Sequence, residues 1–110
     1  MTVVVDQDVD VAIDHEVSLL DHYRAVEAKA RDMLACARAA RWSDVERARE
    51  DCRRLIAALE AAKATTRLSP AEDLERLRIL RQVVLCDGQT RQLSCARTRV
   101  LDGLLGVRQP

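Results

Sequence analysis

Between Leu19 and Leu59 an apolar stripe at helical spacing is broken once, by Arg41, Trp42, Ser43 and Asp44, and then resumes. Before the break Leu19, Tyr23, Val26, Ala30, Met33 and Ala37 recur at alternating steps of four and three. After it Val45, Ala48, Cys52, Leu55, Leu59 and Ala62 do the same. This is the seam repeat of packed helices. A break of so few residues leaves room only for an antiparallel helical hairpin. The first helix is expected to run to about Arg41, started by Asp14 or a nearby acid at its positive dipole end. Ser43 or Asp44 is the expected cap of the second helix, with Ser43 and Glu46 at capping-box spacing. Trp42, at the turn, is expected to cover the end of the bundle.

The strongest local signal comes next, in Ser69, Pro70, Ala71 and Glu72. Ser suits the N-cap, Pro suits the first helical position where its missing N–H is no loss, and Glu at the third can reach back to the cap. A third helix therefore starts at Pro70. Its apolar residues form two adjacent lines: Leu74, Leu77, Leu80 and Val84 on one, Ile79, Val83 and Cys86 on the other. Together they are broad enough to cover a hairpin. Gly88 weakens a helix by about 1 kcal/mol relative to Ala. The second line nevertheless continues in phase through Thr90, Leu93, Arg97, Val100 and Leu104, which leaves open a helix that continues through the glycine with a weak point near 87–95. Residues 94–105 make a short amphipathic segment, with Val100, Leu101, Leu104 and Leu105 apolar before Gly106. Twelve residues are too few for a stable isolated helix, so this segment must dock on its own bundle, on a second copy or on a partner.

Composition narrows the class. Phe is absent, and Tyr23 and Trp42 are the only aromatic residues. Leu, Val and Ala pack helices well, whereas sheets draw on aromatic and β-branched side chains. The expected fold is all-α: an antiparallel hairpin, a third long helix and a short, mobile C-terminal helix in an up-and-down bundle. Residues 15–106 form the single helical domain, with 94–106 its C-terminal gating helix. Residues 1–14 alternate valine with aspartate, have no strand partner elsewhere, and are expected to be disordered or loosely docked.

The formal charge is zero, which argues against phosphate neutralisation as the basis of binding; no nucleic-acid partner is expected. All five charges up to position 16 are acidic, so the remainder is net positive by about five, mostly arginine. Pairs such as Glu27 with Arg31, Glu50 with Arg54 and Glu72 with Arg76 are spaced as on solvated helix faces. No apolar run approaches the roughly 20 residues that span a membrane. The acidic start does not resemble a secretory leader, so Cys36, Cys52, Cys86 and Cys95 are read as reduced cytosolic thiols. Their spacing gives no metal pattern, and Cys52 on the second stripe reads as a small core residue. His15 and His22, with Asp14 or Glu16, fall near one helix face, but surface placement accounts for both. No nucleophile has a histidine poised beside it and no glycine-rich phosphate loop is present, so neither catalysis nor a cofactor is expected. A small helical mutase of the chorismate mutase kind would need arginines projecting into the bundle, and only Arg97 is placed for that.

Tyr23, the run Met33, Leu34 and Ala35, and the turn Arg41–Trp42 resemble the N-terminal half of the FliT family. Val45, Glu46, Cys52, Arg53, Leu55, Ile56 and Leu59 resemble that family's second helix, and Leu68, Ser69, Pro70 and residues 77–87 its third. The resemblance covers about residues 19–105; the acidic N-terminus and Gly88 depart from it. It implies a cytoplasmic export chaperone of the bacterial flagellum. Such a protein binds the filament-cap protein before secretion, engages the type III export machinery and in some bacteria restrains the flagellar transcriptional activator. The family's C-terminal helix is thought to gate the binding surface. On this chain the expected gate is Leu93, Val100, Leu101, Leu104 and Leu105, with Leu80 and Val84 in the groove beneath, where a client helix would dock by i, i+3, i+4, i+7 anchors. A homodimer is expected without client. The competing reading is a dimeric helical scaffold with no more specific task.

Overall fold

The structure, a computed structural model, describes residues 18–106. Its regular elements are three α-helices: α1 (Leu19–Arg38), α2 (Trp42–Lys63) and α3 (Pro70–Leu105). The all-α class and the antiparallel first pair are as the stripe predicts. The acidic segment 1–14 lies outside the described residues.

The helix starts show where local chemistry decided and where it yielded. The N-cap of α1 is Ser18, whose hydroxyl accepts from the Asp21 amide at 3.1 Å, and not an acid near position 14. Hydrogen bonding from the Ser18 side chain to the Asp21 carboxyl, with Arg24 close by, holds that carboxyl below its usual range. The expected capping box on Ser43 does not form: α2 begins at Trp42, behind Arg41, without a side-chain cap. The reason is the tight closure of α1. Ala40 adopts a left-handed conformation (φ 59°), its amide donates to Ala37 and the Arg41 amide donates to Cys36. This Schellman-type closure leaves three residues between the helices, so Ser43 already lies inside the first turn. At Pro70 the expectation holds in full, with the Ser69 hydroxyl accepting from the Glu72 amide at 3.2 Å and the Ser69 amide donating to the Glu72 carboxylate at 2.9 Å.

The hub of the fold is α1. It contributes ten buried residues, against three each from α2 and α3. Leu19, Leu20, Tyr23 and Val26 meet Leu59 of α2 and Ile79 of α3 in one cluster, while Met33, Cys36 and Ala37 meet Val45 and Ala48 in a second. Ala30 and Leu34 meet Cys86 in a third. Helix α3 runs parallel to α1. Arg78 bonds Glu27 at 3.1 and 3.2 Å and Arg38 bonds Gln89 at 2.9 Å, both across a separation of 51 residues. Glu27 is 8% exposed and also accepts from Arg31 at 2.8 Å, so a buried carboxylate fastens α3 to α1. Hydrogen bonds to Glu75 and to Glu27 hold the Arg78 guanidinium charged well beyond the ordinary arginine range. The helices α2 and α3 both lie on α1, yet no Cα of one comes within 8 Å of a Cα of the other.

The separate C-terminal helix is corrected. Residues 94–105 are the end of α3, which passes through Gly88 without a break. Burial on both sides of the glycine outweighs its weak propensity: Cys86 and Thr90 are buried, Leu93 packs on α1 and α2, and the Thr90 hydroxyl donates to the Cys86 carbonyl at 2.8 Å. At 1.5 Å per residue α3 is about 54 Å long and α1 about 30 Å. Helix α3 therefore outruns its support.

Candidate functional site

The two apolar lines of α3 have separate fates. Ile79, Val83, Cys86, Thr90 and Leu93 face α1, and Ile79 is 0% exposed. The neighbouring line does not cover the hairpin: it lies on the side of α3 turned away from α1, and no Cα of α2 comes within 8 Å of a Cα of α3. Leu77, Leu80, Arg81, Val84 and Leu85 instead line an open apolar depression, with Leu74 exposed one turn before it. Val84, 68% exposed, also belongs to a groove between α2 and α3. The floor of that groove is Ala30 and Met33 of α1, and its α2 wall is Cys52 and the half-exposed Ile56. Depression and groove thus form one surface that runs from the outer face of α3 into the cleft. Its contiguous exposed apolar area makes this surface the candidate interaction site.

Electrostatics on this surface are sparse. Asp87 at the groove edge is paired with Arg91 at 2.9 Å. Arg81, inside the apolar depression, has no ion pair among the described residues. Burial pushes the Cys52 thiol up, Asp87 adds to the shift and Lys29 opposes it, so Cys52 is an unreactive wall residue. The remaining charges form the solvated faces that the sequence indicates, though in part with different partners. Glu50 pairs with Arg53, and Arg54 with Asp51. Asp73 takes Arg76 at 2.7 Å while Glu72 is engaged in its capping box.

Of the residues expected at the site, the structure brings together Leu80 and Val84, both in the depression. Leu93 is half-buried against the clusters of α1 and α2. Val100, Leu101, Leu104 and Leu105 are exposed on the last turns of α3, Leu104 to 78%. Leu101 lies about 25 Å along the helix axis from Val84, so in this conformation residues 94–105 do not lie over Leu80 and Val84. Where α3 passes the hairpin turn, Trp42 packs on the adjoining cluster and Arg97 stacks over its ring at 5.1 Å from the centroid. Trp42 thus closes the end of the bundle, and Arg97 lies on its surface rather than among the helices. The charged side chain buried among the described residues is Glu27, a carboxylate, which is the opposite of what a dicarboxylate-binding mutase requires.

Sequence reasoning alone assigned Leu74 and Leu77 to packing and gave no role to Leu85, Ile56 and Arg81. The excess width of the α3 apolar arc was the available signal. Among the described residues no helix is long and apolar enough to cross a membrane.

Comparison with curated proteins and with solved structures gives no significant match. A family model described as flagellar protein FliT matches residues 20–107, a span that takes in nearly all of the three helices. With most of its length matched, the chain belongs to the FliT family.

Proposed function

We propose that this protein is a cytoplasmic flagellar export chaperone that holds an amphipathic helix of the filament-cap protein on the open face of α3. The observation that carries this reading is the set Leu77, Leu80, Arg81, Val84 and Leu85, left uncovered on a helix whose other side is fixed in the core. These positions follow i, i+3, i+4, i+7 and i+8, the spacing by which one helix reads another. A rigid face suits recognition because little ordering entropy is lost on binding. Ile56 and Val84 extend the surface into the groove, where a larger apolar anchor of the client would be enclosed. The role is binding, with no catalytic step assigned.

The tip of α3, with Val100, Leu101, Leu104 and Leu105, is a second apolar surface. We assign it to self-association in the absence of client and to export components, with the flagellar transcriptional activator as the further partner that the family implies. For residues 94–105 to gate the client face within one molecule, α3 has to break at Gly88 and Arg97 has to leave Trp42. Gly88 is the position where that break is easiest.

Calorimetric titration with the C-terminal segment of the same organism's filament-cap protein tests the reading. Micromolar binding, about −8 kcal/mol, is expected for the wild-type chain. Val84→Asp, exposed and outside the core, should weaken it by at least about tenfold while leaving the thermal transition in place. Equal affinity of both forms refutes the assigned face. No binding by either, together with a stable dimer in sedimentation, leaves the helical scaffold.

A further inference from the structure

The open face of α3 has Arg81 inside it, without an ion-pair partner among the described residues, and an acidic, apolar segment of the same chain within reach. We infer that the segment preceding Ser18 docks on the Leu77–Leu85 face and competes there with the client; the competition, though not the docking, rests on the function proposed above.

Geometry supplies the first argument. The separation of 51 residues between partners on the parallel helices α1 and α3 sets Leu19 opposite Pro70. The chain therefore enters the fold beside the start of α3. Leu77 lies about 10 Å and Val84 about 21 Å farther along the helix axis. Seventeen residues precede Ser18 and can span up to about 56 Å, so the whole face is within reach.

Composition supplies the second. In an extended chain, alternate residues share a side, which places Val9, Val11 and Ile13 on one edge and Asp8, Asp10 and Asp14 on the other or at the margin. Three apolar side chains at that spacing extend about 13 Å, close to the roughly 10 Å from Leu77 to Val84 on α3. Charge supplies the third. The segment carries five acids, one histidine and no lysine or arginine, whereas Arg81 in the face and Arg67 just before α3 have no ion-pair partner among the described residues. Attraction of this kind steers and orients more than it binds; the apolar contacts supply most of the affinity.

The occupant is thus a tethered stand-in for the client. If it covers the face about four-fifths of the time, apparent client affinity falls about fivefold, because only the free fraction binds. The test uses the full chain. With p-benzoylphenylalanine in place of Val11, irradiation should give an intramolecular adduct within residues 74–85, read by mass spectrometry. Adducts that join two chains, adducts elsewhere in the chain, or none overturn the docking. Separately, the triple variant Val9→Ser, Val11→Ser, Ile13→Ser should bind the cap-protein segment about fivefold more tightly than wild type; unchanged affinity overturns the competition. Failure of both proteins to bind that segment, alongside a positive adduct, removes the assigned client while the docking stands.

Discussion

Replacing Ala40 by glycine should make this protein more stable, although it removes a side chain and lies between two helices. Ala40 holds φ at 59° so that its amide can reach Ala37 and the next amide Cys36. For an L-residue the left-handed conformation costs about 1–2 kcal/mol, and glycine adopts it freely. Glycine also gives the unfolded chain more freedom, which takes back about 0.4–1 kcal/mol. The Ala40 methyl is exposed, so no burial is lost. The net gain is about 0.5–1 kcal/mol, or roughly 2–8 °C in the thermal midpoint for a domain of this size. Urea denaturation followed by circular dichroism should show a higher midpoint and an unchanged slope. Ala39→Gly is the control: its φ of −87° is ordinary for alanine, so that variant should lose stability or stay level. A midpoint for Ala40→Gly at or below wild type would refute the left-handed closure of α1 and, with it, the reason α2 starts at Trp42.

Gly88→Ala should stabilise α3 by about 1 kcal/mol, since an added Cβ meets nothing within 4 Å; client affinity should not change, because the proposed face precedes position 88. A clear loss of affinity in calorimetry would mean that α3 bends there during binding. Ser69→Ala should destabilise the fold by about 1 kcal/mol in thermal unfolding, and an unchanged midpoint would deny the capping box any weight. The same change alters the acid limb. The Ser69 amide, then its hydroxyl-linked hydrogen bonding, holds the Glu72 carboxyl below its ordinary value. A depressed carboxyl stabilises the fold above its unfolded pKa and loses that contribution as pH falls through the folded value. The gap between wild type and Ser69→Ala should therefore narrow, without closing, as pH falls below about 4, because the Ser69 hydroxyl accepts from the Glu72 amide at any pH; a gap of constant size across that range refutes the linkage.

The hairpin and the start of α3 were legible because each rests on local signals. The stripe breaks once, and Ser69, Pro70 and Glu72 each occupy a position that only their own chemistry favours. Non-local facts decided the rest. Nothing in the spacing of Leu77, Leu80 and Val84 against Ile79, Val83 and Cys86 says which line turns inward. That depends on the gap between α2 and α3, which no short stretch of sequence encodes. Gly88 set propensity against phase, and phase won because Thr90 and Leu93 had partners on α1 and α2. The terminal leucines read as a docking segment, and the structure shows why they have nothing beneath them. Arg38 stands level with Gln89, so α1 has ended before Val100 is reached. Ser43 loses the cap position for a related reason, since the Cys36 carbonyl takes the Arg41 amide and brings the second helix forward.

The carboxylate of Glu27 also acts as an index mark for α3. Two parallel helices with an apolar seam can slide by one turn, about 5.4 Å, and still place aliphatic against aliphatic. Such a slide would carry Arg78 out of bonding range and strand a negative charge in the interior with only Arg31 to meet it. A buried charge that loses a partner is heavily penalised, so the helix is keyed to a single axial position. A load applied to the outer face of α3, by a client or by the tether, therefore cannot be relayed to the far tip as a piston stroke. It has to travel as rotation or flexure, and beyond Arg97 nothing on α1 or α2 resists either.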